Sequence, residues 1–366
     1  MQDIQTKVLR LSKGWDYLLS GEGAQIWSLP TQRRFLLHGS TQKFRQLLEL
    51  LKSGLPVEGA INRLSEQTGF SLMQVNSIVK RLSDLGAIVE GTPTLKPTGS
   101  LYERQQWFFD QWERDGVSGS ELDLRLRRSK VLVVGAGGIG SWILLNLARI
   151  GIQHIVAVDP DYIETSNLPR QILYTAQDVG KLKVEAAARK LQEVDPQIRY
   201  EGHALYVEEP QDLSPLLDGV DLVVNPFGIV SSRTRSAVAK ACLDNRVPVL
   251  FGGQCVVGPL CVPGETICHQ CMLEYDVGIK ETLQMINDVG WRAPQTPFSP
   301  VMSISSGLIV FEAARYLSGS ERPRSLSGMY MVDPYNYKIT FRPGERNKRC
   351  TVCSHIQPSD ILKGHL

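Results

Sequence analysis

The stretch Val131-Leu-Val-Val-Gly135-Ala-Gly137-Gly138-Ile-Gly140 constrains the fold of this chain more than any other part of it. A run of four apolar residues, three of them β-branched, is followed at once by glycines. An apolar helical segment, Ser141-Trp-Ile-Leu-Leu-Asn-Leu-Ala, comes next. A buried strand that turns through glycine into a helix opens a βαβ unit, and the helix N-terminus leaves backbone amides free to meet phosphate. Further apolar runs occur at Ile155-Val-Ala-Val, Leu222-Val-Val and Val247-Pro-Val-Leu-Phe, alternating with amphipathic stretches. Strands alternating with helices predict an α/β fold with a Rossmann-like, largely parallel sheet covered on both faces.

Ahead of it, residues 1–92 read as a small α+β domain. Trp15-Asp-Tyr-Leu-Leu, Gln25-Ile-Trp and Arg34-Phe-Leu-Leu are short strand-like runs between glycine-containing turns. Phe44, Leu47, Leu48 and Leu51 then fall on one helical face, a second helix runs from about Val57 to a C-cap at Gly69, and Ser71-Leu-Met-Gln74 is a capping box. The third helix carries an apolar stripe of Leu72, Val75, Ile78, Val79, Leu82 and Leu85, and Gly86-Ala-Ile-Val-Glu closes as a strand. Three helices and a wing make a winged-helix unit. Between Gly91 and Gly99 the chain turns to Thr, Pro and Gly, the composition of a connector. Residues 93–128 read as linker and a charged helical arm, leaving 129–366 for the α/β domain.

A glycine loop by itself suits a dinucleotide as well as ATP. Asp159, at the end of the second strand, can accept hydrogen bonds from ribose hydroxyls of either. The choice comes downstream, in Asp159-Pro-Asp161-Tyr-Ile-Glu-Thr-Ser-Asn167-Leu-Pro-Arg170-Gln171 and Asp178-Val-Gly-Lys-Leu-Lys183. A nicotinamide needs an uncharged surface, whereas a triphosphate gives reason to bring Asn, Arg, Gln and Lys to one place.

These motifs, in this order and spacing, resemble the ubiquitin-activating-enzyme-like adenylyltransferases of ThiF–MoeB type over roughly residues 100–355. The type most similar is the group of peptide-tailoring members that act on microcin and pantocin precursors. The resemblance implies ATP on Gly135, Gly137, Gly138 and Gly140, with Asp159 holding the ribose. Asn167, Arg170 and Lys183 would contact the triphosphate and stabilise charge at the α-phosphorus, with Gln171 beside them. Tyr102-Glu-Arg104-Gln105 resembles the family's arginine arm, which reaches the ATP site of the neighbouring subunit, so a homodimer and a catalytic Arg104 are implied. The family's Mg2+-binding Asp corresponds to Gly228 in Asn225-Pro-Phe-Gly228, which leaves Asn225 and Asp161 as oxygen donors for the ion.

Seven cysteines are an odd number, and four of them form two Cys-x-x-Cys pairs, Cys268/Cys271 and Cys350/Cys353. Two such pairs can close one tetrahedral site, and four sulfur ligands leave no open position, so a structural Zn2+ is expected. His269, between two ligands, reads as an exposed loop residue. Cys242, Cys255 and Cys261 lie in or beside apolar runs, where a buried, unreactive thiol is the common case. Residues 272–349 contain no cysteine, so the thioester or persulfide relay of some family members has no nucleophile here. The chemistry is then expected to stop at, or cyclise from, an acyl-adenylate.

A net charge of +2 gives none of the excess positive field of polyanion binders, so although the third helix offers Gln74, Asn76, Lys80 and Arg81, nucleic acid is not the expected partner. No secretory signal or bilayer-length apolar run is present, which points to a cytoplasmic protein without membrane contact. The winged-helix unit resembles leader-recognition elements, in which an extended leader adds a strand and packs against the third helix. The expected partner is a short precursor peptide, activated at its C-terminus or a Glu side chain. Two rivals remain: activation of a sulfur carrier ending in Gly-Gly, and a non-catalytic leader-binding scaffold, the latter motivated by Gly228.

Overall fold

The computed structural model describes residues 7–28, 32–91, 101–112, 117–226, 232–275, 281 and 297–356. The chain divides into two compact units, residues 1–124 and 125–366. The connector expected after Gly91 and the Gly228 position both lie outside the described residues.

In the first unit, β1 (Val8–Leu11), β2 (Asp16–Ser20), β3 (Gly23–Ser28) and β4 (Arg33–His38) precede α1 (Thr41–Ser53), β5 (Leu55–Pro56), α2 (Ala60–Thr68), α3 (Leu72–Asp84) and β6 (Ile88–Gly91). Strands β2, β3 and β4 form an antiparallel meander, while β1 lies between β5 and β6 in a second small sheet. The punctuation read from the sequence is in place. Gly69 ends α2 at φ 67°, and the Ser71/Gln74 capping box opens α3. Helix α2 starts later than expected, at Ala60, because Leu55 and Pro56 pair with β1. The closing strand expected from Gly86-Ala-Ile-Val-Glu is β6, laid antiparallel on β1 with Leu9 opposite Glu90. One core unites Ile26 and Leu37 with Phe44, Leu47, Leu48, Leu51, Leu64, Val75 and Leu82. The α3 stripe is narrower than expected, since Leu72 is 50% exposed. Arg81 on α3 lies 4.4 Å over the Phe35 ring of β4, which sets the helix alongside the strand. Helix α4 (Glu103–Phe109) also belongs to this unit; the division falls within α5 (Gly119–Arg128). Gln105 Nε2 donates to Asp123 Oδ1 at 2.8 Å, joining α4 to α5.

The second unit runs β7 (Lys130–Val134), α6 (Gly138–Arg149), β8 (His154–Val158), α7 (Lys183–Val194), β9 (Arg199–His203), α8 (Pro210–Leu213), β10 (Leu222–Asn225), α9 (Ser232–Asp244), β11 (Val249–Gly253), β12 (Val256–Cys261) and α10 (His269–Tyr275). A long helix, Ser299–Ser318, precedes β13 (Gly328–Asp333) and β14 (Lys338–Pro343). These strands make one eight-stranded sheet in the order β14-β13-β12-β11-β10-β7-β8-β9. The five from β11 to β9 are parallel, and β12, β13 and β14 extend the sheet antiparallel. The central strands are buried on both faces, which is why their sequences are apolar without alternation. Strand β9, Arg199-Tyr-Glu-Gly-His, carries no such signal because it is a half-exposed edge.

The order positions the site. From β7 the chain winds outward through β8 to β9, then returns to place β10 on the other side of β7. Loops leaving β7 and β10 therefore part in opposite directions, and a crevice opens at the carboxyl end of β7, where open α/β sheets take their ligands. The glycine loop stands at that point.

Candidate nucleotide site and four-cysteine centre

Two glycines of the loop are required by geometry. Gly135 has φ +98°, the left-handed region that side chains disfavour. A Cβ on Gly140 would lie 1.9 Å from the Gly135 carbonyl oxygen, so any side chain there would push the first turn of α6 off the loop. The other two mark the neighbours: a Cβ on Gly137 would stand 3.8 Å from Gln171 Nε2, and one on Gly138 would stand 3.9 Å from Arg170 Cδ. The Asn-x-x-Arg-Gln segment is thereby laid across the loop.

Asp159, almost fully buried, accepts from the amides of Ala136 at 2.6 Å and Asp161 at 2.9 Å. Burial raises its carboxyl above the usual carboxylate range, against the pull of Lys183 and these amides. Lys183, at the first turn of α7, is buried too, with Nζ 2.6 Å from Asp161 and 3.8 Å from Asp159. It reaches them because residues 161–163 and 180–183 run side by side: Ile163 N donates to Lys181 O, Gly180 N to Ile163 O, and Lys183 N to Asp161 O. Asn167 is buried in a short 3-10 turn, its Oδ1 accepting from Glu164 N, and its carbonyl receives the amides of Arg170 and Gln171. Arg170 donates to Ser166 O at 2.6 Å. Gln171 is buried, and its Oε1 has no hydrogen-bond partner. A buried, orphaned acceptor beside a glycine loop fits a ligand that brings a donor of its own.

The structure thus gathers Gly135, Gly137, Gly138, Gly140, Asp159, Asp161, Arg170, Gln171 and Lys183, with Asn167 one turn away. Arg104, exposed on α4, belongs to the first unit. Three contributors carried no signal in the sequence. Tyr174 donates its buried hydroxyl to Ala136 O at 2.8 Å and so pins the loop; burial drives that hydroxyl's pKa far up. Trp142 Nε1 donates to Arg170 O at 3.2 Å, and Ser306 on the long helix donates to Ile139 O at 3.1 Å. As for a divalent cation, the only cluster of three or more His, Cys, Asp or Glu ligands among the described residues is the four-cysteine group. Asp161, one of the two expected Mg2+ donors, is engaged with Lys183.

The four thiols of Cys268, Cys271, Cys350 and Cys353 are buried and lie within 4.8 Å of one another. Three of the separations are 3.5–3.7 Å. A tetrahedron with Zn–S bonds of ~2.3 Å has sulfur–sulfur edges of ~3.8 Å, so the cage fits zinc. The amides of Cys271, Val352 and Asn347 point at sulfur at 3.4 Å, as thiolate ligands favour. His269 departs from expectation: it is buried in the first turn of α10, its ring 5.2 Å from Phe251. Burial, then the nearby Arg235, holds its pKa well below the ordinary value. Burial raises the Cys242 and Cys261 thiols, in keeping with inert residues, whereas Cys255 is only half-buried.

A largely parallel sheet with a glycine-rich strand-to-helix loop at its switch point, faced by an Asp, an Arg and a Lys, defines a Rossmann-like α/β protein. Residues 102–352 match the model of the ThiF family, and the chain belongs to that family. It is 30% identical over 244 residues to the sulfur carrier protein adenylyltransferase of Thermus thermophilus, covering 64% of this chain and 86% of that one. It is 40% identical over 247 residues to the adenylyltransferase and sulfurtransferase uba4 of Emericella nidulans, where the match spans 64% of this chain and half of the relative. Among solved structures, Escherichia coli MccB with MccA-N7isoASN superposes with a TM-score of 0.78 at 22% identity, over 95% of this chain and all of that one. PaaA superposes at 0.67 and 19% identity, over 92% of this chain and all of PaaA. At these identities the last two establish the fold alone.

Proposed function

We propose that this protein adenylates a carboxyl group of a short precursor peptide with ATP. The observation that carries the reading is that Arg170 and Gln171 stand beside the glycine loop while Lys183 reaches Asp159, which holds the loop amide of Ala136. The loop amides and Lys183 would cradle the phosphates, Asp159 would take the ribose, and Arg170 with Asn167 would meet charge as it develops at the α-phosphorus. Such preorganised donors are commonly the largest catalytic contribution. The carboxylate oxygen attacks that phosphorus and pyrophosphate leaves; the acyl-adenylate then loses AMP to a nucleophile within the peptide. Hydroxide is a poor leaving group and AMP a good one, which is the chemical reason to consume ATP. Where magnesium takes part, the triphosphate itself supplies oxygen ligands, and Asp161 or Asn225 would complete them. Arg104 would serve the site of a second subunit in a homodimer.

The peptide assignment is supported by the first unit, whose β4 is an edge strand among the described residues with α3 alongside it, and by likeness in fold to a protein crystallised with MccA. ATP–pyrophosphate exchange tests the site: Arg170→Ala is expected to lower exchange by about 100-fold or more while the circular dichroism spectrum stays unchanged. Undiminished exchange would remove Arg170 from the chemistry. The name of the Thermus relative favours a second reading, activation of a sulfur carrier. Affinity capture that returns a small protein ending in Gly-Gly, instead of a short peptide, would support it.

A further inference from the structure

Three cations border β4, which is an edge strand of its sheet among the described residues: Arg33 and Arg34 on the strand and Arg81 on α3, over the Phe35 ring. All three are exposed, and no anion pairs with any of them among the described residues. The chain as a whole is almost neutral, so this is local clustering and not a general basic excess. Apolar surface lies among them. Phe35 is half-buried beneath the Arg81 guanidinium, and Leu36 and Trp27 are 42% and 37% exposed.

Strand alternation sorts these groups. Arg33 and Phe35 share the face of Leu37, which packs in the core below α3. Arg34 and Leu36 face the other way, with Trp27 opposite Arg34 in the register of β3. A peptide strand added to β4 would alternate in the same manner, and each of its faces would meet both an apolar group and an arginine. Carboxylates suit those arginines, because the guanidinium fork matches them in shape as well as charge. A lysine-rich segment would meet like charge on both sides.

We infer that the β4–α3 groove takes an acidic segment of peptide, in which Asp or Glu side chains sit within a residue or two of apolar ones. The inference rests on the peptide-docking reading of the first unit and specifies the chemical class of leader that the unit admits. Apolar contact and strand pairing supply most of the affinity. The exposed charges supply selection against basic peptides and faster association, both weakened by salt.

The test is selection from a displayed library of random peptides of about ten residues, the length of a long strand, on the full-length protein. Enriched sequences are expected to carry Asp or Glu beside Leu, Ile, Val or aromatic residues. Their affinity, read by fluorescence anisotropy, should fall severalfold from about 0.02 M to about 0.3 M salt. It should fall by a further factor of about three for each of Arg33→Gln, Arg34→Gln and Arg81→Gln, the effect of one exposed ion pair. Enriched peptides without acidic bias, or acidic peptides indifferent to both salt and these substitutions, would overturn the inference while leaving peptide docking intact. Enrichment of no peptide at all would overturn both.

Discussion

At the scale of single residues, Asp178 is the clearest case of a buried charge made tolerable by its neighbours. Its carboxylate is fully buried, accepts from the hydroxyl and amide of Thr175, and is paired with Lys181 and with Arg189 through both oxygens. Burial alone would raise its pKa; the bonds from Thr175 and Lys181, with Arg189, outweigh that and lower it to about 2. A carboxylate lowered on folding stabilises the protein above its unfolded pKa, and the contribution disappears as pH falls from about 4 to about 2. The shift corresponds to about 2 kcal/mol. Urea unfolding across that interval should therefore show wild type losing about 2 kcal/mol more than Asp178→Asn; equal losses would mean that the carboxyl titrates normally. The sequence displayed Asp178 only as part of the Asp-Val-Gly-Lys-x-Lys motif. Its partner Arg189 is one turn and more along α7, and nothing local announces that pairing.

At the scale of elements, the two cysteine pairs come from the start of α10, where Cys268 immediately precedes the helix, and from the stretch after β14, eighty-two residues on. Zinc would fasten that C-terminal stretch to the large sheet, whose β13 contributes Met329 to the same small core. Metal analysis is expected to find one zinc per chain. Stripping it with a strong chelator should cost about 3 kcal/mol, a fraction of the ~10 kcal/mol of structural zinc sites. For a unit of this size that lowers the melting temperature by about 10 °C, reversibly on adding zinc. A stripped protein that melts unchanged would make the cage incidental. The Cys-x-x-Cys pairs were legible because each is local. The burial of His269 was not, since it comes from Phe251 and Arg235 on β11 and α9, distant in sequence. Element boundaries told the same story: caps at Gly69 and Ser71 were readable, whereas β1, β5 and β9 owe their strand state to partners and not to their own composition.

At the scale of the whole molecule, each unit has its own apolar core, one centred on Leu47, Leu64 and Leu82, the other on Leu132, Val223 and Phe251. Calorimetry is expected to resolve two transitions. ATP at about a hundred times its dissociation constant should stabilise only the one assigned to the larger unit, by about 2.7 kcal/mol. A nucleotide effect on both, or on neither, would count against the assignment of the site. The fold class, the glycine loop and the cysteine pairs were legible in the sequence, because strand-turn-helix succession and short motifs are encoded within a few turns of chain. Convergence came from the fold. It brought Lys183 onto Asp159 and Asp161, hung Arg170 and Gln171 over the loop, and pinned Ala136 with Tyr174. Those meetings depend on how β7, β8 and β10 lie next to one another, a property of strand order that no segment carries alone.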